Sequence, residues 1–298
     1  MLLGIDLGGT KIEGIVLEHK DSLKTLARLR VPTEGAKGYD HVIGQIVHLV
    51  NLLKAETGIV PTHIGIGTPG AIEPSTQLLK NSNTTALNGR PLKKDLENVL
   101  GAEVRLANDA NCFAVAEANL GIVKTACPQA ETVFGVIMGS GVGGGVVVNG
   151  RALNGRHSIA GEWGHNPLEP NGTPCYCGKI GCVETVLAGP FLQKHYAKLT
   201  GSNISLPEIV DRYRAGADFE AALTMQRLFE HFGKAISAVI NILDPDVIVI
   251  GGGVGNIDEI YTMGVEEVKK HIFNTRLDTM FLKPSLGDSA GVFGAALL

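Results

Sequence analysis

No apolar run in this sequence reaches the roughly 18 residues that a membrane-spanning helix needs. The longest candidate, FGVIMGSGVGGGVVV, is broken by glycine throughout. No basic segment followed by an apolar one opens the chain, as an export signal would, and Asp6 arrives almost at once. The expectation is a cytoplasmic protein with reduced thiols and no membrane partner. Charge of neither sign dominates: the net charge of -4 gives no pull toward nucleic acid. Low-complexity segments and linkers are missing, and a 44% hydrophobic composition describes a globular chain. Its 298 residues suffice for one large or two medium domains. Two phosphate-binding signatures are also missing. There is no G-x-x-x-x-G-K-[ST] run, and no strand opens into G-x-G-x-x-G with a helix behind it.

Glycine, by contrast, is plentiful. The 39 glycines cluster, as they do where the chain turns tightly or brings backbone N–H groups close to a phosphate. LLGIDLGGTKIEGIVLE reads as strand, glycine turn, strand around Gly8-Gly9-Thr10. ETVFGVIMGSGVGGGVVVNGR reads the same way, with its turn from Gly139 to Gly144, and suggests an internal duplication at domain scale. Between them, Val42, Ile46, Leu49 and Leu53 are spaced for a helix that stops at Gly58. HIGIGTPGAI reads as a buried strand entering a Pro-Gly turn. EVRLANDANCFAVAEANLG reads as a strand, a polar break at Asn108-Asp109, and a helix ending at Gly121. EAALTMQRLFEHFGKAISAVINIL is a long helix, and DPDVIVI a strand that stops at Gly251-Gly252-Gly253. GDSAGVFGAALL opens with capping residues before a short helix. Strands alternating with helices predict an α/β fold of two similar lobes about a cleft.

One glycine turn alone is more simply an ordinary hairpin. Two matching turns could hold a polyphosphate, while Gly251, Gly252 and Gly253 let a flat base lie against backbone. Asp6 and Thr10 add a carboxylate and a hydroxyl suited to a hydrated Mg²⁺. Asp109, at the junction of strand and helix, reads on its own as a helix cap. The segment GEWGHNPLEPNGTPCYCGKIGCVET holds three of the five cysteines, with His165 upstream and Glu162 and Glu184 on either side. Cys175 and Cys177 stand too close to bridge comfortably, and a nucleophilic cysteine would normally stand alone near a base. Three thiolates and one imidazole suit a closed structural Zn²⁺ site, although the spacing is tighter than in most zinc fingers. Cys112 and Cys127 read as ordinary buried thiols.

GIDLGGTKI, MGSGVGGG, LANDANC, GEWGH and CYCGKIGCVET together resemble the ROK family of bacterial sugar kinases, within the actin-like, hexokinase-like ATPase superfamily. The resemblance runs over essentially the whole chain, and the cysteine motif with GEWGH is its most specific part. It implies ATP, Mg²⁺ and a structural Zn²⁺ as cofactors, with a hexose as substrate. Nucleotide contacts then fall to Asp6, Gly8, Gly9, Thr10 and Lys11 at one turn, and to Gly139, Ser140, Gly141 and Gly143 at the other, with Gly251–Gly253 beyond. Asp109 becomes the general base. Asn83, Asn108, Asp109, Glu162, His165 and Glu184 become the sugar contacts. His165, Cys175, Cys177 and Cys182 become the zinc ligands, with His165 offering its second nitrogen to the sugar. The metal is architectural, pinning a loop that carries the two glutamates.

The same resemblance implies a homodimer, and lobes at 1–118 and 119–287 with a C-terminal helix at about 288–298 packing back on the first. LLKNSNTTALNGRPLKKDLE with GEWGHNPL most resembles the fructokinase and mannokinase branch, so fructose or mannose is the expected substrate. Glucokinases and N-acetylhexosamine kinases use much the same polar set and stand as alternatives. Transcriptional repressors of the family carry an N-terminal helix-turn-helix, whereas here the glycine hairpin starts at residue 2.

Overall fold

The computed structural model describes residues 1–82 and 84–298; Asn83, an expected sugar contact, lies outside the described residues. The chain divides into two compact units. Unit one comprises Met1–Gln129, Gly145–Ala160 and Ser285–Leu298, and unit two comprises Ala130–Gly144 and Gly161–Pro284.

In chain order, the first segment of unit one forms β1 (Leu2–Leu7), β2 (Lys11–Leu17), β3 (Thr25–Pro32), α1 (Tyr39–Thr57), β4 (His63–Thr68), β5 (Ala71–Ile72), β6 (Leu79–Lys80), α2 (Leu92–Leu100), β7 (Glu103–Asn108), α3 (Asp109–Asn119) and α4 (Ile122–Ala126). Among the described residues its main sheet has the order β3-β2-β1-β4-β7. β1 and β2 are buried at most positions because both faces of the sheet are covered. On one face lies α1, burying Val42, Ile46, Leu49 and Leu53. That helix ends at Gly58, whose left-handed backbone (φ 69°) lets its N–H reach the Lys54 carbonyl at 2.9 Å. β1, β4 and β7 run parallel, with Asp6 opposite Gly67 and Thr68 opposite Asn108. Asp6 and the Asn108-Asp109 junction therefore reach the same edge of the sheet, the edge where α/β sheets bind ligands.

The following elements are β8 (Thr132–Met138), β9 (Val142–Val148), β10 (Arg151–Ala152), α5 (Glu184–Leu187), α6 (Gly189–Thr200), α7 (Leu206–Ala215), α8 (Phe219–Leu243), β11 (Val247–Gly251), α9 (Met263–Lys269), β12 (Met280–Leu282) and α10 (Ala290–Ala296). In unit two, β11 pairs in parallel with β8 and with β12. α8 is capped by Asp218, whose carboxylate accepts the Ala221 N–H at 2.8 Å, and it buries Leu228, Phe232, Ile236 and Ile240 along one face. No helix among the described residues is long and apolar enough to cross a membrane.

The units depart from the expected division at 118/119 and 287/288. Unit one also takes α4, which packs on α3, and the far end of β9 with β10. There Asn119 donates to the Gly150 carbonyl at 2.9 Å. Unit one also takes the chain from Ser285 onward, including α10, which covers the second face of the sheet. The approach is so close that a Cβ at Gly65 would overlap the Ala295 carbonyl. Glu117, fully buried near the end of α3, ties this last segment down. Its carboxylate accepts backbone N–H groups from Ile122 (3.0 Å), Ser285 (3.1 Å) and Leu286 (2.9 Å). The expected side-chain cap of α10 does not form. Ser289 holds the cap position, but its hydroxyl accepts from the Arg28 guanidinium instead.

Candidate functional site

In unit one the β1–β2 turn is closed by the Gly8 N–H on the Lys11 carbonyl at 3.0 Å, and the Thr33 hydroxyl donates to the Gly8 carbonyl at 2.7 Å. Asn108, not Asp109, occupies the cap position of α3. Its side-chain oxygen accepts the Ala110 N–H at 2.9 Å, and Asp109 accepts the same N–H at 2.8 Å from the first helical position. Burial and then the Asp109 and Glu13 charges raise the Asp6 carboxyl to about 6, against a smaller opposing effect of Lys11. Two carboxylates that resist ionising together are a natural seat for a divalent cation, which relieves their repulsion. Room around them comes from Gly67, where a Cβ would lie 3.2 Å from the Cys112 sulfur and 3.5 Å from an Asp6 oxygen. Burial, with the Asp6 and Asp109 charges, pushes the Cys112 thiol far above its usual value, as suits an inert packing residue.

Unit two contains the cysteine loop. His165 ends a short 3₁₀ turn (Trp163–His165) whose tryptophan donates its indole N–H to the Gly143 carbonyl at 2.9 Å. Cys175 opens a tight turn, with the Gly178 N–H on its carbonyl at 3.0 Å and its own N–H on the Lys179 carbonyl at 2.8 Å. Gly178 has φ 88°, a conformation that disfavours other residues. One donor atom from each of His165, Cys175, Cys177 and Cys182 lies within 4.8 Å of all the others. The Cys177 and Cys182 sulfurs are 3.6 Å apart, and the His165 Nδ1 is 3.5 Å from the Cys175 sulfur. Tetrahedral ligands at Zn–S distances of ~2.3 Å stand roughly 3.8 Å apart, whereas a disulfide needs ~2.05 Å. The donor set therefore fits a four-coordinate divalent cation. Burial, with the neighbouring Cys177 and Cys175, pushes the Cys182 thiol well above its usual range, a cost that a bound cation would remove.

The two glutamates differ. Glu184 at the start of α5 accepts the Val142 N–H at 3.0 Å. Glu162 keeps an exposed surface, yet its carboxyl is raised above the usual carboxylate range. Desolvation by surrounding protein atoms is the main cause and Glu184 adds to it, while His165 opposes both. The other ring nitrogen of His165, Nε2, lies 3.0 Å from the Tyr176 hydroxyl. The loop is braced from outside by Glu169, which pairs with Arg227 of α8 through two bonds of 2.7 and 2.9 Å.

Also in unit two is a cavity of about 450 Å³ lined by Gly139, Gly253, Gln193, Leu206, Val210 and Asn256, among others. It has the apolar lining with a few polar groups that suits a flat heterocycle.

The ROK family model matches residues 2–298. The chain belongs to the ROK family. Over 310 residues it is 36% identical to an N-acetyl-D-glucosamine kinase of Haemophilus influenzae, covering 100% of this chain and 99% of that one. A Pectobacterium atrosepticum protein of the same name is 33% identical, over 100% and 98% of the two chains. Among solved structures, the ROK hexokinase of Thermus thermophilus superposes with a TM-score of 0.87 at 30% identity, over 99% of this chain and 96% of that one. The fold of this ROK protein is accordingly that of the actin-like, hexokinase-like ATPases.

Within unit one, the structure of this ROK chain gathers Asp6, Gly8, Asn108 and Asp109 at strand ends, and within unit two it gathers Glu162, His165, Glu184 and the three cysteines. Several glycines of the expected phosphate cradle also make close contacts within unit two. A Cβ at Gly141 would lie 2.6 Å from a Glu184 oxygen, so that glycine makes room for the carboxylate. Gly143 receives the Trp163 indole, and Gly252 (φ 83°) lies against the Met138 backbone. Of the expected nucleotide residues, only Gly139 and Gly253 line the cavity. Gln193, Leu206, Val210 and Asn256 went unread. The available signal was the Ser205 cap with Pro207 in the first turn of α7, followed by apolar positions facing inward.

Proposed function

We propose that this ROK protein is an ATP-dependent kinase that phosphorylates a hydroxyl, the 6-OH, of an N-acetylhexosamine, with N-acetylglucosamine its preferred acceptor. The expectation of fructose or mannose gives way here. It rested on two short segments, whereas the relatives named N-acetyl-D-glucosamine kinase align along the full length. The observation that carries the reading is the Asp6–Asp109 carboxylate pair at the strand ends of a chain with such full-length relatives.

Phosphoryl transfer requires alignment, charge neutralisation and a proton acceptor more than covalent chemistry. Asp109, anchored at the first turn of α3, takes the proton of the acceptor hydroxyl. Asn108 spends its oxygen on the helix and has its amide N–H groups for the sugar. Asp6 is the residue to hold a hydrated Mg²⁺, which would neutralise phosphate charge. Glu162, His165 and Glu184 take ring hydroxyls; a carboxylate accepts such groups through charge-assisted bonds. The cavity beside Gly139 and Gly253 receives the adenine base. His165, Cys175, Cys177 and Cys182 would hold one Zn²⁺ as a complete set of four ligands, whose chemistry there would be to fix the loop.

A coupled assay of ADP release over a hexose panel tests this, together with elemental analysis of protein prepared without chelator. We expect the highest kcat/KM with N-acetylglucosamine and one zinc per chain. A higher value with fructose or mannose would overturn the substrate, and no sugar-dependent ADP release would overturn the kinase.

A further inference from the structure

The two ring nitrogens of His165 have different neighbours. Nδ1 faces the thiols, 3.5 Å from the Cys175 sulfur, while Nε2 lies 3.0 Å from the Tyr176 hydroxyl. The tyrosine ring stands edge-on to the imidazole, with centroids 5.1 Å apart and planes at 89°. Tyr176 sits between two of the cysteines and is 80% exposed. An imidazole whose Nδ1 binds a cation carries its proton on Nε2, so that nitrogen is an N–H donor. Its acceptor here is the oxygen of a hydroxyl, the same group that a sugar presents.

We propose that Tyr176 is a latch on the sugar site: its hydroxyl occupies the His165 Nε2–H in the sugar-free protein, and a sugar hydroxyl displaces it. The inference rests on the reading of Glu162, His165 and Glu184 as the groups that hold sugar. The backbone beneath the latch is fixed by the Cys175–Lys179 and Gly178–Cys175 bonds, so release needs only a side-chain rotation, and solvent surrounds most of the ring. One neutral hydroxyl replaces another on the same donor. The latch therefore costs the sugar about the net worth of one neutral hydrogen bond, roughly a 2- to 10-fold effect on affinity. An acceptor that places a hydroxyl on His165 bears that cost, and one that places none there leaves the His165–Tyr176 bond intact.

Calorimetric titration of N-acetylglucosamine into full-length wild-type and Tyr176→Phe proteins, with metal content measured on both, decides the matter. The phenylalanine keeps the ring and removes only the hydroxyl. We expect Kd and the sugar KM to fall by about 2- to 10-fold, with kcat and bound metal unchanged. An unchanged Kd overturns the latch. A weaker Kd makes the hydroxyl a sugar contact, and lost metal makes it a support of the cysteine loop; either result also overturns it. If the wild-type protein binds no N-acetylhexosamine, the functional reading falls and the latch with it, an outcome visible before the variant is titrated.

Discussion

The two glycine turns look alike in sequence and are built on opposite electrostatic terms. At the β1–β2 turn, the neighbouring Asp6 carboxylate is raised to about 6 by burial and by Asp109. At the β8–β9 turn, Gly139 bonds back to Gly141 at 2.9 Å, and the neighbouring Glu184 carboxylate is satisfied by the Val142 N–H. One turn stands beside a frustrated acid pair that gains from a cation or a proton. The other is held by an acid already at rest. The same glycine-rich pattern therefore stands beside a strained acid pair in one place and a hydrogen-bonded acid in the other. What separates them is the partner supplied by distant sequence.

Substitutions can break this contrast. The largest effect is expected at Asp109. Asparagine there keeps the size and can still bond the acceptor hydroxyl and the Ala110 N–H, but it takes no proton. In Asp109→Asn, kcat should fall by at least roughly 10²-fold while calorimetric sugar affinity changes little. Near-normal turnover would leave Asp109 as part of the helix start only. Next comes Gly141→Ala, whose new methyl would press on Glu184 and leave the Val142 N–H unpaired. The sugar KM should rise by about 10-fold, with a smaller change in the ATP KM. Gly9→Ala is the control, because among the described residues a Cβ there meets only the Thr84 side chain, at 3.9 Å. Equal sugar KM values in the two variants would erase the distinction between the turns.

The smallest effect is on stability. Asp6 titrates near 3.8 when unfolded and at about 6 when folded, so the native state binds the proton more tightly. The stability gained from that proton is fully present below pH 3.8 and is lost as pH rises through about 6. Without Mg²⁺, Asp6→Asn should melt roughly a few degrees above wild type at pH 7.5, and the gap should close toward pH 4. A constant difference across that range would remove Asp6 from the frustrated pair.

The sequence was most informative where one short segment carries both structure and chemistry. The alternating segment to Ala107 followed by Asn108-Asp109 announces the end of β7 and the start of α3, and the C-x-C-x₄-C spacing with His165 announces a cluster of four groups able to hold a metal. It was least informative where contacts join remote segments. The cavity draws on Gly139, on α6 and α7, and on the residues after β11, none of which marks the others. The close approach of Glu184 to Gly141 was hidden because the two lie far apart along the chain. Ser289 looked like a helix cap because nothing local shows that Arg28 takes its hydroxyl. The contact of His165 Nε2 with Tyr176 was equally hidden, since a tyrosine between two cysteines carries no local mark of it.

Glu117 carries a consequence for the order of synthesis. Its buried carboxylate needs the N–H groups of Ser285 and Leu286, and the first sheet needs α10 on its open face. Unit one cannot complete its core until Ser285 and α10 have been made, and every residue of unit two, which ends at Pro284, precedes them in the chain. The amino-terminal half must therefore wait, with its apolar strands only partly covered, for a long-range closure of the slow kind that chaperones guard.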